Sequence, residues 1–426
     1  MNVDRRSFIL SGGAAFLYGC AGGREALVGE RYPGWNPGEM DIHFIHTGVG
    51  EQTFFIFPDG TTMLLDCGHV FPRRAGYAEA VPAMPSDRLR GGEWVARYLS
   101  RVTDGRTIDY VLVSHAHDDH VMGLPDVAKT FTFRRWIDNQ YPHVGVNCTD
   151  ADPDACRFLR EFVPSACARG MKAEPFEVGA LNQIALQHGG ARPYGAFEIR
   201  NIASDGVLWD ATRGTRDYLT EHLRLAGANG AECNQLSNAV RIRYGNFTYY
   251  TGGDLERTFR SGDGAVDWEA AVGRAVGPVD VCKTNHHAFW NAMQPGFVHE
   301  VRARVYLSSV WSPNQVNDRN LPHIASRELY PGKRTIFFGA MPKGKLAAFG
   351  NAAFVNDFAP CVGHQVVKVA PGGTSYEIFT LDAANESMRV LARDSERTGP
   401  HCLCGLSPLF SLYLPVRRQS VGETPV

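Results

Sequence analysis

The chain has 426 residues, 44% of them hydrophobic, with 43 basic and 45 acidic side chains. That length and apolar content can bury a large core, as one large domain or two smaller ones, and exclude a wholly disordered chain. The near-neutral balance gives no global field to recruit nucleic acid, which weakens a nuclease reading.

The first segment, Asp4-Arg5-Arg6-Ser7-Phe8-Ile9-Leu10, resembles a twin-arginine export signal. The apolar stretch after it, to Tyr18, is too short to span a bilayer as a helix. Leu17-Tyr18-Gly19-Cys20 is similar to a bacterial lipobox. Residues 1–20 are therefore expected to direct export to the periplasm or cell envelope, with lipidation of Cys20 as a membrane anchor. Residues 21–39 are rich in Gly, Pro and charge and read as a linker. In an oxidising compartment Cys148, Cys156 and Cys167, or the close pair Cys402 and Cys404, can form disulfides. Cys67 and Cys282 fall in predicted strands and read as small buried hydrophobes. His401 with Cys402 and Cys404 has no partner pair at a useful spacing for a second metal site.

From residue 40 the pattern becomes regular. Thr53 to Phe57 and Thr62 to Leu65 flank the turn Pro58-Asp59-Gly60, a hairpin signal. Gly91 to Leu99 sets Trp94, Val95, Tyr98 and Leu99 on one helical face, and Ile108 to Val113 follows as a buried strand. The alternation of helix and strand suggests a layered sandwich with sheets inside and helices outside. Residues 139–233 read as an insertion, with Ala155 to Phe162 helical beneath an Asp154 cap and Phe197 to Ile202 a strand. Asp150, Asp152 and Asp154 alternate as in a calcium loop, but the required Gly and distal Glu are missing, so they read as a solvated turn and cap. Residues 386–426 form a C-terminal extension without clear period, apart from the apolar Leu409 to Val416.

Directly after the buried strand, Ser114-His115-Ala116-His117-Asp118-Asp119-His120 gathers three histidines and a carboxylate. In extended chain, alternate side chains point the same way, so His115 and His117 can reach one ion together. Asp119 and His120 then face a second. Imidazole plus carboxylate suits zinc, with manganese or iron as alternatives, and neighbouring ions activate water against an ester, amide or phosphate.

These residues resemble the HxHxDH signature of the metallo-β-lactamase-fold hydrolases, and four further segments agree in order. Phe44 to Gln52, and Pro58-Asp59-Gly60 to Leu64-Leu65-Asp66-Cys67-Gly68, look like that family's opening hairpin with its buried Asp-x-Gly. Tyr249-Tyr250-Thr251-Gly252-Gly253-Asp254 resembles the strand that ends on a metal-bridging aspartate. Val279 to His287 looks like the strand and paired histidines that supply the last ligand. The double histidine and the stretch Asn234 to Ser237 narrow the likeness to the hydrolase domain of ComEC/Rec2-type competence proteins. The likeness spans residues 40–385 and implies an α/β fold, an αββα four-layer sandwich. It further implies that His115 and His117 hold a first Zn²⁺, that Asp119, His120 and His287 hold a second, and that Asp254 bridges. Asp66 would orient a ligand histidine. His286 would contact a substrate oxygen or protonate the leaving group, and His323 would line the pocket.

Three departures stand out. The third histidine that dinuclear relatives give the first zinc has no matching motif here; His143, His188 and His222 are the candidates. Ala288-Phe289, then Trp290, replace the subgroup's Gly-Ser and set an aromatic rim. Glu51 stands where many relatives have Asp.

Two Zn²⁺ against Asp119 and Asp254 leave net positive charge, so a metal-activated hydroxide is the expected nucleophile. Such a centre stabilises an anionic transition state, which puts phosphodiester or other phosphate-bearing substrates first. The subgroup adds DNA strands and phosphorylcholine-bearing envelope polymers as substrate classes, with nucleic acid not favoured. Lactone, β-lactam or thioester hydrolysis on the same centre is the alternative, and a non-catalytic metal-binding envelope protein is another. Arg73-Arg74, Arg88, Arg90 and Arg134-Arg135 can meet phosphates, although basic pairs are usually solvated surface.

Overall fold

The structure is a computed structural model that describes residues 28–143, 152–189, 194, 196–218, 232–261 and 264–398. The export and lipidation readings at residues 1–20, Cys20 included, lie outside the described residues, as do Cys148, Asp150, His222, His401, Cys402, Cys404 and the Leu409 to Val416 run. No described helix is long and apolar enough to cross a membrane.

Two large mixed sheets dominate the described residues. The first runs, in spatial order, Val390–Arg397, Ser375–Leu381, His364–Val369, Met40–Phe44, Thr53–Ile56, Thr62–Leu65, Thr107–Leu112, Thr132–Asp138 and Lys172–Pro175. The second runs Thr335–Phe338, Val305–Ser308, Val281–Lys283, Phe247–Thr251, Ala239–Tyr244, Phe197–Ser204, Val207–Asp210 and Gly214–Asp217. Each is antiparallel on one side and parallel on the other, the parallel part beginning at Thr62–Leu65 in the first and at Phe247–Thr251 in the second.

The inner strands are apolar on both faces, as strands covered on two sides must be. Successive residues serve different layers. Phe54, Leu64 and Val111 pack outward with Val95 and Leu99 of the helix Gly91–Val102 and Leu159 of the helix Pro153–Ala168. Phe55, Met63 and Leu112 face inward against Ile242, Tyr249 and Val281 of the second sheet. Tyr250, Cys282 and Tyr306 then face the helices Trp268–Val276 and Pro295–Val301. This period of two gives the four layers helix, sheet, sheet, helix. The helix Gly91–Val102 begins where Glu93 reaches back to accept the Arg90 N–H at 2.8 Å, satisfying a donor that the first turn leaves open.

Four readings of the sequence are revised. Residues 28–39 are not a linker: Gly29 and Tyr32 donate backbone hydrogen bonds to Val390 and Met388, and the Tyr32 ring is buried beside His43. Residues 139–233 are not simply an insertion, because Lys172–Pro175 closes the first sheet and Phe197–Ser204 pairs within the second. The domain does not stop at 385, since Val390–Arg397 is the edge strand of the first sheet. The cap of the helix Pro153–Ala168 is Asp152, whose carboxylate accepts from Asp154 N and Ala155 N at 2.9 Å each, one turn-entry earlier than the expected Asp154.

Candidate metal centre

The carboxyl ends of the parallel strands of both sheets meet at one place, where open α/β sheets commonly bind ligands. Thr62–Leu65 delivers Asp66, Thr107–Leu112 delivers Ser114 to His120, Phe247–Thr251 delivers Asp254, Val281–Lys283 delivers His286 and His287, and Val305–Ser308 leads to Trp311. Gly68 lets the Asp66 loop press on the histidine loop, because a Cβ there would stand 1.7 Å from the Asp119 carbonyl oxygen.

Ligand atoms of Asp119, His120, Asp254 and His287, all buried, lie within 4.8 Å of one another. His287 Nε2 is 3.0 Å from Asp119 Oδ2 and 3.1 Å from Asp254 Oδ2, and His120 Nε2 is 3.1 Å from Asp254 Oδ2. His120 Nε2 is nevertheless without a hydrogen bond. Two atoms bound tetrahedrally to one zinc at about 2.0–2.1 Å stand roughly 3.3 Å apart. The donor set, its spacing and the unbonded buried nitrogen thus fit an ion.

His115 Nε2 lies 3.1 Å from His117 Nδ1, and the His115 ring is 4.2 Å from that of His120. This pair therefore abuts the four-residue cluster. Among the described residues, no group of three His, Cys, Asp or Glu ligand atoms that could hold an ion includes His115 or His117. Of the middle histidines, His188 is held 3.0 Å from Asp109 and His143 sits in the turn after Gln140, so neither supplies the third ligand.

Partners on the far side of each ring fix its tautomer. Asp66 Oδ2 accepts from His120 Nδ1 at 2.9 Å and from the Ser114 hydroxyl at 2.7 Å. Ser114 Oγ, its proton so committed, accepts from His115 Nδ1 at 3.0 Å. In both rings Nε2 is left with its lone pair toward the centre. Glu51 Oε2 lies 2.9 Å from His287 Nδ1 and Glu51 Oε1 lies 2.9 Å from Lys283 Nζ. Lys283 Nζ also donates to the Gly253 carbonyl at 2.6 Å and lies 3.4 Å from Asp254 Oδ1.

Charge in this pocket is strongly coupled. Burial by itself would depress the His287 imidazole, but Asp254, Asp119 and Glu51 outweigh it and raise its pKa to about 10. His120 is likewise carried well above the ordinary histidine range, against burial, by Asp254, Asp119 and Asp66. Burial would raise the Asp254 carboxyl, yet His120, His287 and Lys283 hold it well below the usual range. Without an ion, protons occupy the positions that a cation would take.

His286, His287 and Ala288 have φ of 42°, 50° and 57°, three successive left-handed residues without glycine. Each costs on the order of 1–3 kcal/mol and must be held by its surroundings. The buried Glu269 carboxylate does so, accepting from Asn285 Nδ2 at 2.9 Å, Met293 N at 2.7 Å and Gln294 N at 2.9 Å. The turn sends the two neighbouring rings apart: His287 enters the cluster, whereas His286 Nε2 stays 3.8 Å from Asp254 Oδ2 and its ring lines the mouth.

That mouth is a cavity of about 360 Å³ whose walls include Arg74, Tyr77, Asp118, Phe289 and Trp311. Asp118 is not among the four clustered ligands; burial and then Asp119 push its carboxyl up to about 6. His323 does not line the mouth: it lies on the helix Leu321–Ala325 with Nδ1 3.3 Å from the Met293 carbonyl. Arg90 pairs with Asp126 and Arg134 with Asp109, so these two are engaged in the fold rather than at the centre. Three residues at the centre had no signal in the sequence: Lys283, the Glu51 carboxylate in its role beside His287, and Trp311, whose indole N–H donates to Asp119 Oδ2 at 2.9 Å.

The sequence matches the Metallo-beta-lactamase superfamily over residues 46–219. That match covers less than half of the chain. No curated protein matches the chain. Among solved structures it is similar to CmlA, a diiron beta-hydroxylase from Streptomyces venezuelae, at 12% identity and TM-score 0.39, covering 72% of this chain and 54% of that one. It is also similar to yeast PDE1, at 11% identity and TM-score 0.37 over 77% of this chain and 98% of that one. The metallo-beta-lactamase fold protein YhfI from Bacillus subtilis gives 12% identity and TM-score 0.35 over 71% and 98%. The chain thus spans about half the length of CmlA, 54%.

Proposed function

We propose that this chain is a metallo-β-lactamase-superfamily enzyme, an exported zinc hydrolase of phosphodiesters or related phosphate esters. The observation that carries the reading is the convergence of Asp119, His120, Asp254 and His287 ligand atoms within 4.8 Å, beside a cavity that Trp311, bonded to Asp119, and Arg74 line. In this reading Asp119, His120, Asp254 and His287 would hold one ion, and His115 and His117 would serve a second. The bound ions supply an activated water and neutralise charge on the phosphoryl oxygens.

The chain's own residues do the rest. Asp66 and Ser114 keep His120 and His115 in the tautomers that present Nε2. Lys283 holds Glu51 and Asp254 in place. Tyr77, Phe289 and Trp311 give the mouth aromatic walls, so a bound substrate would displace its water and strengthen the electrostatic contacts within it. His286 donates through Nδ1 to Asn291 Oδ1 at 2.8 Å, which leaves its Nε2 lone pair on the side of Asp254, where it can take the proton of the attacking water and pass it to the leaving oxygen. Export is supported by the signal-like first twenty residues and by Cys233, which is disulfide-bonded, as suits an oxidising compartment.

The test is zinc-dependent cleavage of bis-p-nitrophenyl phosphate set against nitrocefin and acyl-lactones. Release from the phosphate alone supports the reading; cleavage of lactone or β-lactam with the phosphate intact overturns it. The two-histidine first site favours one other reading, a metal-binding protein without turnover. Metal-dependent turnover that Asp119→Ala and His117→Ala abolish in a folded protein excludes it.

A further inference from the structure

A second cavity, of about 530 Å³, adjoins the mouth and takes no part in the chemistry above. Its size is that of a pocket for a small organic ligand, within the range of about 300–1,000 Å³. Val49, Val70, Ala78, Leu89 and Trp94 line it, and Phe71, 76% exposed, stands on its rim.

The wall between the two cavities is one segment of chain. Val70 lines both, Arg73 faces the second cavity and Arg74 the mouth. This segment is fastened to the metal loop, because His69 N donates to the Asp118 carbonyl at 3.0 Å. Arg73 Nη2 donates to the carbonyl of Trp311, the residue that contacts Asp119, at 2.8 Å. Arg73 Nη2 also donates to the Tyr77 carbonyl at 3.3 Å while its Nε is buried without a partner, and His69, Ser86 and Asp87 add polar groups to a lining that is otherwise mostly apolar. A molecule with its phosphate in the mouth would reach these surroundings by lying across Val70, the residue common to both linings.

Resting on the phosphate-ester reading, we infer that this second cavity is a substrate subsite for an apolar tail, so that the substrate is an amphipathic phosphate ester with an alkyl or aryl substituent. The groove then selects among phosphate esters by the length of that substituent, at roughly threefold to fourfold per methylene buried.

The test is calorimetric binding of methyl, butyl and octyl phosphate to the zinc-loaded full chain, with 1-octanol as a probe lacking phosphate. With at least three of its seven additional methylenes buried, octyl phosphate is expected to bind about thirtyfold or more tightly than methyl phosphate. That ratio should collapse in Ala78→Trp, which fills the groove from an exposed position, and in Leu89→Ser, which removes an apolar wall. A flat series with methyl phosphate still bound overturns the subsite alone, as does a chain-length gain that survives both substitutions. A gain shown equally by octanol, with methyl phosphate unbound, overturns the phosphate reading on which the subsite rests.

Discussion

Lys283 and Glu51 form a fully buried ion pair, Nζ to Oε1 2.9 Å, beside the candidate metal ligands. Burial alone would raise the Glu51 carboxyl, and the Lys283 ammonium and the His287 ring together hold it below the usual range. Removing one partner strands the other's charge in the core. Lys283→Met is therefore expected to cost about 3–5 kcal/mol in denaturant unfolding of the metal-free protein. The double variant Lys283→Met with Glu51→Gln should recover much of that loss. A Lys283→Met protein as stable as the parent contradicts the pairing.

His286 and His287 are expected to fail differently. His287→Ala removes an atom of the four-residue cluster and should abolish retention of the tight ion, read as metal per chain. His286→Ala should keep the metal and lower turnover by roughly a hundredfold on esters with a poor leaving group, and much less on p-nitrophenyl esters, which need no proton. Equal metal loss in both variants contradicts the division of roles.

The acid-base behaviour follows from signs. His287 is raised to about 10 and His120 well above the ordinary histidine value. A raised histidine stabilises the folded state fully below its unfolded pKa of about 6.5, and the contribution is lost as pH rises through the folded value. The metal-free protein should therefore lose stability from about pH 6.5 upward through His287's folded value of about 10. Zinc must displace the same protons, so its affinity should rise with pH over that window. Calorimetry in buffers of different ionisation enthalpy is expected to find about two protons released with the first zinc at pH 7. Release of none contradicts the coupling.

Trp311 donates to Asp119 Oδ2 at 2.9 Å and so touches a candidate ligand directly. Trp311→Phe should weaken zinc binding by about 10–100-fold, the usual effect of losing such a support. A change in indole fluorescence on metal addition should shrink in the same variant. Unchanged affinity and unchanged fluorescence response count against that contact.

What the sequence disclosed depended on how near in the chain the cooperating residues lie. His115, His117, Asp119 and His120 announce themselves because six positions after a buried strand hold four of the six candidate ligands, and the period of two says which side chains share a side. The hairpin at Pro58-Asp59-Gly60 and the helix from Gly91 were legible for the same local reason. Lys283 was not, since a lysine on a strand carries no sign of the glutamate it meets from far away in the chain. Trp311 meets Asp119 across an equally long separation. The strands Val207–Asp210 and Gly214–Asp217 were passed over because each is only four residues long, and the second, the largely exposed edge of its sheet, lacks the apolar alternation of inner strands. Residues 28–39 looked like a linker because their Gly and Pro hide the few anchors, Tyr32 above all, that fix them to the sheet. His323 was expected at the pocket from its Asn-containing loop alone, with nothing to say which way the helix Leu321–Ala325 would face.

The most direct measurement is metal content per chain by plasma mass spectrometry, on full-length protein purified without added metal, with phosphodiester turnover assayed on the same sample. At least one zinc per chain is expected from the four-residue cluster, with the His115 and His117 site filling only as zinc is added and turnover rising with it. Protein that holds no metal, takes none when zinc is supplied and shows no turnover would contradict the metal centre itself.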